Sequence, residues 1–188
     1  MGKPDAKPAQ PASYADIEVL SPNLVGEILA GELVVSPRPA PRHAQASSSL
    51  GVLLGAPFGF GSGGPGGWRI LDEPELHLRA DVVVPDLAGW RSERMPTLPA
   101  TPFFELSPDW ICEVLSDSTR RRDRVQKLPI YARERVAHVW LVDPEARTLE
   151  VYRLDGEGWR LAGSWSDTDK VRAEPFDAVE LDLALLWS

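Results

Sequence analysis

The sequence predicts an α/β fold: a central mixed β-sheet flanked by helices, with a C-terminal β-hairpin extension. Three observations carry that expectation. DVVV (81–84), WICEVL (110–115) and VAHVWLVD (136–143) are short, apolar runs of the kind that form central strands, DVVV being the sort buried on both faces. A single helix-length segment separates the second run from the third, the layout of a crossover joining parallel strands. TLEVYRL and WRLAGSW alternate apolar with polar residues and flank DGEG (155–158), a hairpin turn signal.

The elements follow in order. Residues 1–12 are rich in proline and alanine and read as a disordered tail, leaving 13–188 as one domain. From about Asp16 to Ala30 runs a weak helical pattern, broken at Ser21-Pro22. GELVVSP (31–37) reads as a strand closed by its proline. APRHAQASSSLGVLLG (40–55) reads as a helix of small residues ending at Gly55. GFGSGGPGG (59–67) is a flexible loop without the Gly-Lys-Ser/Thr ending of a phosphate-binding loop, so no nucleotide site is expected there. WRILDE and ELHL (68–78) are short strands, DVVV stops at Pro85-Asp86, and residues 91–108 form a Pro-rich connection. Ser116-Asp117-Ser118-Thr119 supplies N-cap chemistry for a helix running to about Glu134. Pro129 is expected to kink that helix, because it cannot donate a backbone hydrogen bond. FDAVELDLALLW closes the chain as a short strand or turn and a terminal helix.

Composition excludes several classes. Apolar content of 43% and charged content of 26% are those of a globular chain able to bury a core. No window of about 18 apolar residues exists, so no membrane span is expected. The first residues lack the apolar stretch of a secretory signal. Cys112 is the one cysteine, which excludes an internal disulfide and fits a reducing cytoplasm; it reads as a small buried residue. A net charge of −8 argues against gripping nucleic acid by bulk charge, but not against positive charge confined to one cleft. Of 20 basic residues only four are lysines, and Lys127 is the only one between residues 8 and 169.

Two carboxylates stand out. Asp86 follows Pro85 at the mouth of a buried strand, where it can be a turn former, a helix cap or a ligand. Glu113 lies among Ile111, Cys112, Val114 and Leu115, where an unpaired carboxylate costs several kcal/mol. Such a residue persists when a cation sits opposite it. Two carboxylates from neighbouring strands, with the Val114 backbone carbonyl as a third oxygen, form a hard-oxygen site suited to Mg²⁺. A metal held this way polarises a phosphoryl group and lowers the pKa of a bound water. Phosphodiester hydrolysis also wants a positive group nearby. Leu115, which shares the strand face of Glu113, cannot provide one. Lys127 on the next helix can, unless it only pairs with Asp123 four residues earlier on a solvated face.

Pro85-Asp86 and the later run EVLSDSTRRRDRVQKLPIYARERVAHVWLVDP closely resemble the Uma family of restriction endonuclease-like proteins, within the PD-(D/E)xK nuclease superfamily. GELVVSP, His43 and PDLAGW match earlier blocks of that family, and the resemblance covers roughly residues 14–155. Its most specific part is an E-V-x-S strand followed by R-x-D-x-x-x-K-x-x-x-Y and W-L-V-D-P. The resemblance implies a restriction endonuclease-like core in which Asp86 and Glu113 bind a divalent metal. It implies that the superfamily lysine has moved from the strand, where Leu115 now stands, to the helix, as Lys127. It also implies that Glu32 completes the site from an earlier element.

The function so implied is Mg²⁺-dependent hydrolysis of DNA phosphodiester bonds, with Mn²⁺ as a substitute metal and a homodimer as the expected assembly. The alternatives are a catalytically inactive nuclease-fold binding or regulatory protein, and a nuclease acting on RNA or branched DNA. Arg120, Arg121, Arg122 and Arg124 either contact phosphates at the cleft mouth or form a solvated helix face. Asp123 either orients Lys127 or forms a surface pair. Tyr131 is expected in the core. His43 and His138 are possible ligands, although no second histidine stands at metal-ligand spacing.

Overall fold

The computed structural model describes residues 10–188. The expected tail lies outside the described residues up to residue 9. Just beyond it, Ala12 donates its backbone N–H to the Gly31 carbonyl at 2.8 Å.

In chain order the elements are α1 (Tyr14–Glu18), β1 (Leu24–Leu29), β2 (Glu32–Pro37), α2 (Pro41–Leu54), β3 (Trp68–Asp72), β4 (Leu76–Leu78), β5 (Asp81–Val83), β6 (Leu87–Arg91) and β7 (Trp110–Val114). Then come α3 (Arg120–Arg122), a π-helical turn (Asp123–Lys127), α4 (Leu128–Arg133), β8 (His138–Asp143), β9 (Thr148–Asp155), β10 (Gly158–Ser166), β11 (Lys170–Val171), β12 (Leu181–Asp182) and a 3₁₀ turn (Leu183–Leu186).

The main sheet runs β10-β9-β8-β7-β6-β3, and a second sheet runs β2-β1-β5-β4. The expected crossover is present: β7 and β8 pair in parallel, with Glu113 opposite Leu141, while the other neighbours in the main sheet are antiparallel. The mixed sheet and the β9–β10 hairpin therefore stand as expected.

Three local expectations are corrected. The segment read as a weak helix over 16–30 holds only the short α1, then β1, which pairs with β2 from Leu24↔Pro37 to Leu29↔Glu32. Ile17, Leu20, Leu24 and Ile28 do fall at helical spacing. Pairing with β2 and β5 overrides that pattern, and the Ala30-Gly31 turn has positive φ at both residues (52° and 82°), the geometry of a tight hairpin. Second, Pro85-Asp86 ends β5 but not the sheet structure. The chain steps across Val84-Pro85-Asp86 into the other sheet as β6, four of whose five residues are buried between β3 and β7. Glycine suits position 89, since an added Cβ would stand 3.2 Å from the Trp110 ring and 3.3 Å from the Trp68 ring, closer than ordinary van der Waals contact.

Third, the helix after β7 departs from α geometry one turn before Pro129. The π turn closes with the Leu128 N–H bonded to the Asp123 carbonyl. Pro129 sits in the first turn of α4, where a missing N–H is tolerated. Both Asp123 and Lys127 are buried by this turn.

Alternation along β7 divides the core. Trp110, Cys112 and Val114 face α2 and the C-terminal segment, in a cluster centred on Phe176, Phe58, Trp68 and Trp140. Ile111 and Leu115 face the other way, with Leu29, Leu76, Trp90, Tyr131 and Val139. Glu113 points to that second side. Cys112 is fully buried, and burial pushes its thiol up, as expected of an inert core residue. Among the described residues no helix is long and apolar enough to cross a membrane.

Candidate functional site

The step from β5 to β6 breaks both sheet ladders, and side chains repair the break. The last β6–β7 pair is Leu87↔Cys112, so the N–H of Val114 has no strand partner. Asp86 Oδ2 accepts it at 2.7 Å. Val84, one residue past β5, donates its N–H to Glu27 Oε1 at 2.9 Å and accepts from Lys127 Nζ at 3.3 Å. The backbone accounting that a buried loop demands is met by acid and lysine side chains. The same step therefore brings Glu27, Asp86 and Lys127 together beside Glu113.

Glu113 is 3% exposed. Its Oε1 receives Lys127 Nζ at 2.7 Å and the Tyr131 hydroxyl in a short hydrogen bond. Both contacts fall on one oxygen, which leaves Oε2 for the cleft. Burial pushes the Glu113 carboxyl well above its ordinary range; Lys127 opposes this, and Asp123, Asp86 and Glu27 add to it. Lys127 is also 3% exposed and reaches Glu27 Oε1 at 3.0 Å. Burial alone would discharge this amine, but Glu113 and Glu27 outweigh burial and raise its pKa, so it stays an ammonium. Its three N–H bonds meet Glu113, Glu27 and Val84. The i, i+4 alternative fails, since Lys127 faces the cleft and not solvent.

The cleft has a volume of about 260 Å³, and Glu27, His43, Asp86, Glu113, Val114, Arg122, Asp123 and Lys127 are on its walls. Asp123 is 3% exposed, and burial raises its carboxyl pKa against the pull of Lys127. Arg122 donates to Ser36 Oγ at 2.9 Å and lies 3.8 Å from Glu27. His43 Nε2 stands 3.2 Å from Asp86 Oδ1. Burial works against the charged imidazole, yet Asp86, the Val114 backbone and Asp123 prevail and raise its pKa.

Five acids, Glu27, Glu73, Asp86, Glu113 and Asp123, thus share the cleft with Arg38, Arg122, Lys127 and His43. Burial, and after it the neighbouring acids, raise the carboxyl pKa values of Glu113 and Asp123. Among the described residues no three His, Cys, Asp or Glu side chains are arranged to hold a metal ion by themselves. A Mg²⁺ ion needs fewer protein ligands, since it takes one or two carboxylates and keeps several waters. The donors so placed are Asp86 and Glu113, with the carbonyl of Val114 on the wall beside them.

Of the expected residues, Asp86, Glu113, Val114 and Lys127 come together. Glu32 does not: it is exposed at the hairpin end of β2, outside the cleft lining. Glu27 on β1, in the buried stretch 26–29, stands on the cleft wall instead. The signal for Glu27 was present in the sequence, since VGEIL sets a carboxylate inside an apolar run just as WICEVL does. Tyr131 is in the core, as expected, and its hydroxyl serves the site. Arg120 is engaged by Asp143 at 3.1 Å and Asp117 at 3.4 Å, and Arg124 by Glu150 at 2.8 Å. Arg121 is exposed, and it is Arg122 that lines the cleft. His138 pairs with Glu174 at 3.1 Å, away from the cleft lining.

The fold has a counterpart in a crystal structure described as a "putative nuclease belonging to DUF820" from Anabaena variabilis. The two share 19% identity and superpose with a TM-score of 0.75 over 92% of this chain and 94% of that one. No curated protein matches the chain. The model of the Uma2 family, described as "Putative restriction endonuclease", matches residues 12–185, a span that contains every residue of the cleft from Glu27 to Lys127, and the chain belongs to that family.

Proposed function

We propose that the protein is a divalent-metal-dependent endonuclease that hydrolyses phosphodiester bonds in DNA. The observation that carries this reading is the convergence of Asp86, Glu113 and Lys127 in one cleft, with Lys127 buried against Glu113 at 2.7 Å. A helix supplies the ammonium that Leu115, packed in the core, cannot. The family's description and that of the Anabaena protein favour the same chemistry.

Asp86 and Glu113 would hold Mg²⁺ or Mn²⁺, which would supply Lewis-acid polarisation of the phosphoryl group and a lowered pKa for the attacking water. The chain's own residues do the rest. Lys127 places fixed positive charge where negative charge grows in the transition state, in a site already shielded from water. Glu27 holds that ammonium in place. Tyr131 and Lys127 together fix the Glu113 carboxylate, so Oε2 is presented to the cleft. Arg122 on the wall would meet phosphate oxygens flanking the scissile bond, with Arg38, paired with Glu73 at 3.1 Å, at the rim. With a net charge of −8, attraction for DNA is confined to these walls, and binding depends on the divalent ion. Cutting both strands of a duplex takes two such clefts, which a two-fold dimer supplies.

The test is cleavage of supercoiled plasmid in Mg²⁺ and in Mn²⁺ by the native protein, beside Glu113→Ala and Lys127→Ala. Nicked and linear DNA from the native protein alone is expected. Cleavage that survives both substitutions, or none from the native protein on any nucleic acid, would refute the proposal.

A further inference from the structure

Both oxygens of Asp86 are engaged by the chain. Oδ2 accepts the Val114 N–H at 2.7 Å, and Oδ1 meets His43 Nε2 at 3.2 Å. A hydrogen bond on one oxygen and a close polar contact on the other restrict the turning of the carboxylate. The first is set by the backbone and survives any side-chain change. The second is supplied by α2, which is anchored on the main sheet through Ala46, Ser47, Leu50 and Leu54. Ala46 and Ser47 lie three and four residues beyond His43, so the ring shares the inward face of the helix.

His43 Nδ1 is buried and has no hydrogen-bond partner among the described residues. The ring meets the site through Nε2, and the acid it contacts there is Asp86.

We infer that His43 is a positioning residue for Asp86, holding that carboxylate in the orientation that receives the divalent ion. The inference rests on the function proposed above. Outer groups that orient a ligand typically change metal affinity or activity by about 10–100-fold. Glutamine at this position can set its amide N–H near where Nε2 stands, and alanine cannot.

The experiment is isothermal titration of Mn²⁺ into the DNA-free native protein, His43→Ala and His43→Gln, with thermal unfolding of each metal-free protein to confirm the fold. The expected result is binding weakened about 10–100-fold in His43→Ala and restored to within a few-fold of native in His43→Gln. Equal binding by native protein and His43→Ala overturns the role of His43 alone. Binding by a folded His43→Gln as weak as that of His43→Ala overturns it as well. A native protein that takes up no Mn²⁺ overturns the proposed function itself, and this inference with it.

Discussion

Replacing Lys127 with methionine removes the ammonium while keeping a long, unbranched side chain in the same volume. If Lys127 were one half of a solvated i, i+4 pair with Asp123, the cost would be about 0.3–0.5 kcal/mol. Its position predicts a far larger effect. Lys127 and both its acidic partners are at most 4% exposed by side chain, with contacts of 2.7 Å to Glu113 and 3.0 Å to Glu27. Removing one partner of a buried pair costs about 3–5 kcal/mol, because the remaining charge is stranded. For a domain of this size each kcal/mol corresponds to a fall of about 2–4 °C in Tm, so the loss is roughly 6–20 °C. The pH dependence follows from the direction of the Glu113 shift. Its folded-state pKa is already raised by burial, and losing Lys127 raises it further. A carboxyl that binds its proton more tightly when folded penalises the folded state most above the folded pKa. The penalty shrinks as pH falls through that value toward the unfolded one. Urea unfolding with chelator present, at pH 8 and pH 5.5, measures both effects. The Lys127→Met deficit should be several kcal/mol at pH 8 and clearly smaller at pH 5.5. A deficit under about 1 kcal/mol, or one independent of pH, refutes the buried triad of Glu27, Glu113 and Lys127.

Glu27→Gln should abolish most plasmid cleavage, whereas Glu32→Ala should leave it unchanged; loss of activity in Glu32→Ala would return Glu32 to the site. Tyr131→Phe removes a hydrogen bond to a buried carboxylate and should cost about 1.5–3 kcal/mol in urea unfolding; a neutral result would mean the hydroxyl does not hold Glu113. His138 is kept neutral chiefly by burial, so its folded-state pKa lies below its ordinary value despite Glu174. The stability it contributes is present above the unfolded pKa of about 6.5 and lost as pH falls through the folded value. Between pH 7.5 and pH 5 the native Tm should therefore fall further than that of His138→Gln, and parallel curves would contradict this.

Asp86, Glu113 and Lys127 were legible in the sequence because each breaks a local rule. Asp86 stands where a buried strand stops, Glu113 interrupts an apolar strand, and Lys127 is the only lysine in the body of the chain until residue 170. Glu27 broke the same rule as Glu113 but was hidden by a helical spacing of apolar residues. Only long-range pairing of β1 with β2 and β5 shows which face it occupies. β6 was missed for a related reason: LAGWR has little strand character by itself, and burial between two neighbours makes it a strand. The π turn, which buries both Asp123 and Lys127, left no local mark. The proline that was expected to bend the helix stands after the irregularity, in a first turn that tolerates it. The hydrogen bond from Tyr131 to Glu113 and the contact of His43 with Asp86 depend on distances across elements, which spacing along the chain does not contain.

The pairing of Asp86 with Glu113 as a cation site underlies everything proposed for this cleft. It is tested most directly by an anomalous difference map from crystals of the DNA-free protein soaked in Mn²⁺. A peak bounded by Asp86 and Glu113 Oε2, and absent from Glu113→Ala crystals, is the predicted result. A cleft without a peak, or a peak elsewhere that persists in Glu113→Ala, would contradict it.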